Sequence, residues 1–278
     1  MESWNLLGDQ MRVLKKAIHQ ALGSLGYELR SRSEPTVSFG NFANLARAYE
    51  ERLNESENLI AVDELRPKLL GRLLGTPPSE AYFIVQGLAK SRSVAGDVCE
   101  FGVAQGETSA LIANEMRSRD AILHLFDSFE GLPEPTQEDR LKDDIFKLGS
   151  MAAYAGTMSC PEDMVRNRLQ AISFPPHRFV IHKGFVDQVL RNDRSLPSKV
   201  SFAYVDFDFY APIKVTLEFL HQTTSPGSIT IVDDYDFFST GVKTAVDEFV
   251  AEKNSSARRY ECTIPDRGLG CFAILTRK

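Results

Sequence analysis

The sequence predicts an α/β protein with a doubly wound, mostly parallel seven-stranded sheet, a C-terminal antiparallel hairpin and a helical N-terminal extension. Three observations predict this fold. Short apolar segments alternate with amphipathic segments five times from residue 95 onward, as in a parallel sheet with helical crossovers. Two further apolar segments near the C-terminus flank a short turn around Gly268. The first 90 residues carry helical patterns and no strand pattern.

Composition restricts the class of protein. The 278 residues carry a formal net charge of −6, and 43% of them are hydrophobic, which is typical of a globular protein. We expect no nucleic-acid partner, because no basic segment dominates. No apolar run is long enough for a transmembrane segment and no signal peptide opens the chain, which favours a cytoplasmic protein. The four cysteines lack metal-ligand spacing, and we expect them to be reduced.

The pattern changes near residue 90 and divides the chain in two. Residues 1–90 are interpreted as a helical extension or lid, and residues 91–278 as the α/β domain. Within the extension, residues 8–25 form an amphipathic basic helix that contacts either a membrane surface, another subunit or the protein's own core. Further helices are predicted at residues 41–57, 63–74 and 78–90. A long insert at residues 133–161 is interpreted either as a lid or as a solvated surface loop.

The turn after the first strand indicates which ligand the sheet binds. It reads DVCEFGVAQGETS, where Gly102 and Gly106 let the backbone approach a ligand closely. A nicotinamide-binding turn would have glycines at the positions of Ala104 and Glu107, so an oxidoreductase of that class is disfavoured. Glu100 favours a cationic or amine-bearing ligand, and S-adenosylmethionine has both a sulfonium and an amino group.

The second strand ends in Asp127, where a carboxylate can accept hydrogen bonds from both hydroxyls of an adenosine ribose. A helix cap is the alternative interpretation of this residue. The segment LFDSFEGLPEP, which contains Asp127, is more specific than the acid alone. The turn and this segment together predict a nucleoside site at the carboxyl edge of the sheet.

Aspartates end the two most apolar strands, in the segments VSFAYVDFDFY and SITIVDDYDFF. Neighbouring parallel strands lie about 5 Å apart, so carboxylates at their ends repel one another unless a cation lies between them. Oxygen ligands favour Mg²⁺ or Mn²⁺ over zinc. Helix capping is the alternative role for such acids. The residues concerned are Asp206, Asp208, Asp233, Asp234 and Asp236.

Five motifs, taken in order between about residues 75 and 250, resemble those of the TylF/MycF family of macrocin O-methyltransferases. They are GDVCEFGVAQGETS, LFDSFEGLPEP, HKGFVDQVL, YVDFDFYAPIKVTLEFL and GSITIVDDYDF. The resemblance implies a class I, Rossmann-like methyltransferase domain at residues 91–278. It also implies that the protein uses S-adenosylmethionine and a divalent metal to methylate sugar hydroxyls of natural products.

The resemblance also implies roles for individual residues. Asp206, Asp233 and Asp234 match the family's metal ligands, and Asp208 and Asp236 are left to cap helices or orient the site. The matching cofactor-binding residues are Thr76, Glu100, Gly102, Gly106, Thr108, Ser109, Asp127, Ser128 and Phe129.

A base must take the proton of the acceptor hydroxyl, whose pKa a bound metal would lower. Asp206 is the first candidate, and His182 at the end of the third strand is the second. Phe207 and Phe209 depart from the family's acidic motif, so a macrolide acceptor is not implied.

The predicted function is an S-adenosylmethionine- and divalent-metal-dependent O-methyltransferase acting on a sugar hydroxyl of a glycosylated natural product or glycan. The expected cofactors are S-adenosylmethionine and Mg²⁺ or Mn²⁺, and the expected assembly is a homo-oligomer. Two alternatives stay open at this point. One is methylation of a catechol or another small molecule with vicinal hydroxyls, and the other is a non-catalytic binding protein that keeps the wound fold.

Overall fold

The structure is a computed structural model that describes residues 63–257 and 259–278. The helices predicted at residues 8–25 and 41–57 lie outside the described residues. Within the described part, the strands are β1 (Asp97–Phe101), β2 (Leu123–Asp127), β3 (Phe179–Lys183), β4 (Val200–Val205), β5 (Thr224–Val232), β6 (Tyr260–Thr263) and β7 (Ala273–Arg277). The helices there are α1 (Arg66–Leu70), α2 (Pro78–Lys90), α3 (Glu107–Glu115), α4 (Glu162–Ala171), α5 (Val186–Asn192), α6 (Tyr210–Thr223) and α7 (Gly241–Lys253).

The strands form one seven-stranded sheet in the order β3-β2-β1-β4-β5-β7-β6. Strands β1 to β5 pair in parallel, and β7 and β6 add an antiparallel hairpin to the edge of β5. The fold class predicted from the sequence is therefore confirmed. Among the described residues, no helix combines the length and the apolar character that crossing a membrane requires.

Helices cover both faces of the sheet. Helices α2, α3 and α4 pack on one face, around Phe202 and Tyr204 of β4, and helices α5, α6 and α7 pack on the other, around Phe101 and Val205. Neighbouring residues of a strand point to opposite faces, so each strand supplies both cores. Because both faces are buried, the parallel strands are apolar along their whole length until their carboxyl ends.

The order in which strands are added to the sheet reverses between β1 and β4, although the two strands are parallel. The chain runs outward from β1 to β3 and then returns to place β4 on the other side of β1, which opens a crevice at the carboxyl ends of both strands. There the Asp206 amide donates to the Phe101 carbonyl over 2.7 Å. Gly102 has φ +83°, and a Cβ on it would lie 1.7 Å from the carbonyl oxygen of Asp206. Only glycine fits at this crossing point.

Two predicted elements differ in length from the observed ones. The helix predicted at residues 63–74 is only Arg66–Leu70, because Gly71 ends it and the following segment contains Gly75 and Pro77. The hairpin between β6 and β7 has no tight turn. Residues 264–272 connect the two strands and include a 3₁₀ turn at Arg267–Leu269.

The insert after β2 is folded and attached to the sheet. Its Met151 and Tyr154 form a small hydrophobic cluster with Phe209, which follows β4, and Phe238, which follows β5. The rings of Tyr154 and Phe238 stack with their centroids 5.3 Å apart. The insert therefore packs against the two loops that carry the aspartates, which a free surface loop would not do.

Asp139 attaches the insert to the starts of two helices. Its carboxylate accepts a hydrogen bond over 2.8 Å from the amide of Tyr210, the first residue of α6. A Cβ on Gly241, the first residue of α7, would lie 1.8 Å from Oδ1 of Asp139, so the same carboxylate lies against α7. The residue is only 5% exposed. A carboxylate at two helix N-termini is stabilised by both helix dipoles.

Substituting Asp139→Ala should therefore destabilise the protein. We expect the free energy of unfolding to fall by roughly 1–3 kcal/mol, because the Tyr210 amide loses its acceptor. Urea denaturation measures the change, and limited proteolysis should show new cleavage in the insert. The matched control is Glu134→Ala in the same insert, where the side chain is exposed. Equal losses from the two substitutions would contradict the role of Asp139.

Candidate active site

The turn between β1 and α3 forms one side of the crevice. Gly106 has φ +81° and provides the left-handed residue at which α3 begins. Thr108 and Ser109 lie in the first turn of α3, and the hydroxyls of Thr108 and Thr76 lie 2.8 Å apart. The structure thus brings together Gly102, Gly106, Thr108, Ser109 and Thr76, all of which the sequence assigns to the cofactor.

Asp127 at the end of β2 holds this turn in place. Its Oδ2 accepts hydrogen bonds from the amides of Val103 and Ala104, over 2.7 and 2.9 Å, and its Oδ1 accepts from the Phe129 amide over 2.6 Å. A carboxylate offers about four acceptor positions, so one remains for a ligand hydroxyl. Ser128 donates to the Gly131 carbonyl over 3.1 Å and shapes the loop that follows.

Glu100 lies beneath the same turn, inside the sheet. It is fully buried, and neither of its carboxylate oxygens has a hydrogen-bond partner among the described residues. Burial, with the charge of Asp127 nearby, raises the pKa of Glu100 to about 8. The buried hydroxyl of Ser109 lies near this carboxylate, and its interaction opposes the rise in the pKa of Glu100. Unpaired buried polar groups are costly, and a bound polar ligand would satisfy them.

The acidic side of the crevice lies at the ends of β4 and β5. Asp206, Asp208 and Asp234 each offer a carboxylate oxygen, and these three oxygens lie within 4.8 Å of one another. Asp206 and Asp234 are half-buried, whereas Asp208 is buried. Asp208 and Asp234 have φ +62° and +55°, in the left-handed region that aspartate adopts more often than most residues other than glycine. The backbone is therefore bent at both loops to bring these carboxylates together.

The electrostatics of this cluster oppose full ionisation. Burial and the charges of Asp233 and Asp234 raise the pKa of Asp206 well above its usual value. Burial and the neighbouring Asp208 raise the pKa of Asp234 in the same way, and burial beside Asp206 raises the pKa of Asp208 to about 8. An oxygen-only set of mutually repelling carboxylates fits a hard divalent cation.

The carboxylate of Asp233 has a different environment from the three clustered carboxylates. Its Oδ2 accepts a hydrogen bond from the Tyr204 hydroxyl over 2.7 Å, and its Oδ1 accepts from the Asp234 amide over 2.7 Å. Glu80 of α2 is fully buried, and burial and the nearby charge of Asp233 raise its pKa well above the usual range. The Tyr204 hydroxyl also lies 3.5 Å from that of Thr76, so these residues connect the acidic side to the cofactor side.

His182 is not brought together with the aspartates. It lies on β3, which β2 and β1 separate from β4. Its Nδ1 lies 2.6 Å from Asp193 Oδ2, its Nε2 lies 2.9 Å from Nδ1 of His124, and its ring stacks on Phe126. Both ring nitrogens are thus already engaged. Burial lowers the pKa of His182, although the bond to Asp193 opposes this.

Three residues that lie next to Asp233 or His182 were not predicted from the sequence. Tyr204 and Glu80 surround Asp233, and His124 pairs with His182 across β2 and β3. The signal for Tyr204 and His124 is a polar atom within an otherwise apolar strand, and for Glu80 it is an acid within an apolar helix. Each signal becomes informative only when the partner residue is known.

Comparison with solved structures finds the same fold in O-methyltransferases. The O-methyltransferase NovP aligns with a TM-score of 0.61 at 20% identity, covering 87% of this chain and 98% of NovP. The calicheamicin methyltransferase CalS11 aligns with a TM-score of 0.57 at 21% identity, covering 90% of this chain and 95% of CalS11. The apo structure of CalS11, described as a TDP-rhamnose 3′-O-methyltransferase, aligns with a TM-score of 0.51 at 20% identity, covering 90% and 97%. A comparison with curated protein sequences gives no match.

These likenesses define the fold as that of a class I methyltransferase. The model of the macrocin-O-methyltransferase (TylF) family matches residues 84–259, which is more than half of the chain. The protein belongs to this family, and the resemblance predicted from its motifs is confirmed. It is an S-adenosylmethionine-dependent O-methyltransferase, so the alternative of a non-catalytic binding protein is not retained.

The environment of His182 predicts a pH dependence of stability. The unfolded chain binds a proton near pH 6.5, whereas the buried ring, whose pKa is lowered, does not, so the free energy of unfolding falls as the pH drops below about 6.5. In His182→Asn this contribution disappears, and the difference in stability between pH 7.5 and pH 5.5 should shrink. Urea denaturation at both pH values measures it. His177→Asn, at an exposed histidine, is the control. An unchanged difference in His182→Asn would show that this ring does not contribute.

Proposed function

We propose that the protein transfers the methyl group of S-adenosylmethionine to a sugar hydroxyl of a glycosylated small molecule or glycan, with the help of a divalent cation, Mg²⁺ or Mn²⁺. One observation carries this proposal. The carboxylate oxygens of Asp206, Asp208 and Asp234 converge within 4.8 Å at the ends of β4 and β5, beside the glycine turn of β1. An acceptor with hydroxyl groups on adjacent carbons would suit a cation held by these carboxylates.

The cofactor residues proposed here are those that the sequence assigns. Asp127 would accept a hydrogen bond from a ribose hydroxyl. Thr108 and Ser109 offer hydroxyls at the start of α3, where the helix dipole favours the methionine carboxylate. The unpaired carboxylate of Glu100 would attract the methionine ammonium. Gly102 and Gly106 leave room for the backbone of the turn to approach the nucleoside.

A bound divalent cation would lower the pKa of the acceptor hydroxyl and fix the position of its oxygen. Asp206 would then take the hydroxyl proton as the oxygen forms its new bond to the methyl carbon. The bond from that carbon to sulfur breaks, and its electron pair stays on sulfur, which leaves neutral S-adenosylhomocysteine. The rest of the acceleration would come from the alignment of two bound reactants.

A sugar acceptor is the first choice because of what the solved relatives do. The apo structure of CalS11 is that of a TDP-rhamnose 3′-O-methyltransferase, and the family model is named for macrocin O-methylation. Methylation of a catechol or another vicinal diol is the second candidate, since the same converging carboxylates would suit it.

His182 is the second candidate base that the sequence predicts. Both its ring nitrogens are engaged with other residues, which favours Asp206 as the base. The expected homo-oligomer also stays a prediction.

A methyl-transfer assay with S-adenosylmethionine, Mg²⁺ and a panel of acceptors tests this function. The panel contains nucleoside-diphosphate sugars, simple glycosides and catechols. We expect kcat/KM to be highest with a sugar, and Asp206→Asn should reduce kcat by on the order of 10²–10⁴-fold, as the loss of a general base does. Chelation by EDTA should abolish turnover, and added Mg²⁺ or Mn²⁺ should restore it.

The matched control for Asp206→Asn is Asp187→Asn on α5, where the exposed side chain pairs with Arg191. This variant should keep the wild-type rate. A higher kcat/KM with catechols than with any sugar would favour the second candidate function. Full activity in EDTA would refute the role of the cation, and the acceptor panel would still identify the acceptor.

A further inference from the structure

We propose that His124 and His182 share one proton more than two neutral imidazoles carry, and that this charged pair positions the end of β2 that carries Asp127. The two rings lie on β2 and β3, away from the aspartates at the ends of β4 and β5. The positioning part of this inference rests on the proposed function, because Asp127 belongs to the proposed cofactor site.

Four side chains form a continuous series of contacts across the first three strands. Oδ2 of Asp97, at the start of β1, lies 3.4 Å from Nε2 of His124. Nδ1 of His124 lies 2.9 Å from Nε2 of His182. Nδ1 of His182 lies 2.6 Å from Oδ2 of Asp193, which follows α5. Both rings are buried, and the series ends on each side in a partly exposed carboxylate.

Both terminal acids are held in the ionised form. The Ile122 amide donates to Oδ1 of Asp97 over 2.9 Å, and Ser195 donates to Oδ1 of Asp193 through its amide and its hydroxyl. Burial acts against ionisation, but hydrogen bonds from the neighbouring imidazole and the Ile122 amide lower the pKa of Asp97. At Asp193 burial is again outweighed, because the bonds from Ser195 and the other imidazole lower its pKa to about 2. Ionised carboxylates only accept hydrogen bonds, so both must receive them from the rings.

The number of protons along this series sets the charge of the pair. Each of the three contacts needs one N–H, because an ionised carboxylate or a ring nitrogen without a proton can only accept. Two neutral imidazoles carry two N–H groups between them, so one contact would then join two lone pairs. Two imidazolium rings carry four, and two N–H groups would then face each other over 2.9 Å. Three N–H groups, and hence one positive charge, satisfy every contact.

The charge belongs to His124 rather than to His182. Burial lowers the pKa of His182, the bond to Asp193 opposes this, and the charge of the other ring lowers it further. His182 then donates from Nδ1 and accepts at Nε2, while His124 donates from both nitrogens. The Cys99 thiol lies opposite His124 on β1, and burial keeps it neutral by raising its pKa. A buried cation thus lies between two ionised acids.

The other titratable side chains around the pair are exposed or engaged elsewhere. Lys183, next to His182, is exposed and lies over the Phe129 ring, 5.9 Å from its centroid. Arg194, next to Asp193, is exposed. The remaining ones have their own partners, which are Arg191 for Asp187 on α5, residues of α7 for Lys214 and Glu218 of α6, Tyr260 and Arg277 for His221 of α6, and backbone carbonyls for Arg178 before β3. Among the described residues, the two terminal acids are therefore the charges that act on the pair.

Phe126 joins the pair to the cofactor side of the crevice. The ring of His182 stacks on that of Phe126 with centroids 4.3 Å apart, and Phe126 stacks on Phe101 at the same distance. Phe126 precedes Asp127, whose carbonyl accepts from the Gly184 amide over 2.9 Å. Loss of the shared proton turns one contact into a repulsion between lone pairs. The end of β3 then shifts against β2, and Asp127 is displaced.

NMR of the protein with ¹⁵N-labelled histidine tests the shared proton directly. At pH 7.5 we expect one buried ring to be protonated at both nitrogens and the other only at Nδ1, and His124→Asn and His182→Asn assign the two signals. The exposed His177 provides the reference titration, and the doubly protonated signal should persist where His177 has lost its proton. Two neutral rings at pH 7.5 would overturn the proposal, and so would two doubly protonated rings at pH 6.

Calorimetric titration of S-adenosylhomocysteine tests the positioning role. His124→Phe loses both hydrogen bonds, and the dissociation constant should rise on the order of 10-fold, since displacing a site residue by about 1 Å can cost about 10²-fold. His124→Asn keeps an N–H donor toward His182 and should bind within about threefold of the wild type. A general loss of packing would give the opposite order, because the smaller asparagine leaves the larger cavity.

His221→Phe is the matched control, because His221 is also hydrogen-bonded and partly enclosed but contacts β6 at the far edge of the sheet. It should leave the dissociation constant unchanged. Equal dissociation constants in the wild type and in His124→Phe would overturn the positioning role. Failure of the wild type to bind S-adenosylhomocysteine would refute the proposed cofactor site and the positioning role together, whereas the NMR measurement decides the shared proton independently. Circular dichroism of each variant confirms that the chain is folded.

Discussion

The close approach of Gly102 to the Asp206 carbonyl is the constraint on which the rest of the site depends. At this point β1 and β4 meet with no room for a side chain, so the cofactor turn and the acidic loop share one edge. Asp127 fixes the turn by accepting the Val103 amide, and the Phe101 carbonyl fixes the Asp206 amide. The cofactor turn is thus held by the Asp127 side chain, and the acidic loop is held by the backbone of β1.

The buried acids work against the stability of the fold. Burial raises the pKa of Glu100 and of Asp208 to about 8, which means that ionising either one in the folded chain is unfavourable. A protein under pressure for stability alone would replace such groups with apolar ones. Glu80, Glu100, Asp208 and Asp233 are all buried at or just beneath the carboxyl edge of the sheet, which is the physical mark of a site that ligands complete.

The alternation of apolar and amphipathic segments suffices to predict the wound sheet, and the acids at the strand ends suffice to predict the acidic edge. Which carboxylates converge depends on left-handed backbone at Asp208 and Asp234, which local sequence does not specify. The contact of Glu80 with Asp233 joins residues far apart in the chain, and the pair of His124 and His182 depends on strand register. Such partners follow from tertiary packing, which a single sequence leaves unassigned.

The insert has inner residues that contact the acidic loops and outer residues that are exposed, and mutations at these two sets have different effects. Its inner residues are tied to the acidic loops through Asp139 and through the bridge between Leu141 and Ser239, whereas the side chains of Ile145 and Leu148 farther along are exposed. Mutational drift at the exposed positions would leave these ties intact. The exposed surface of the insert can therefore change in evolution while the acidic loops and the residues that attach the insert to them stay the same.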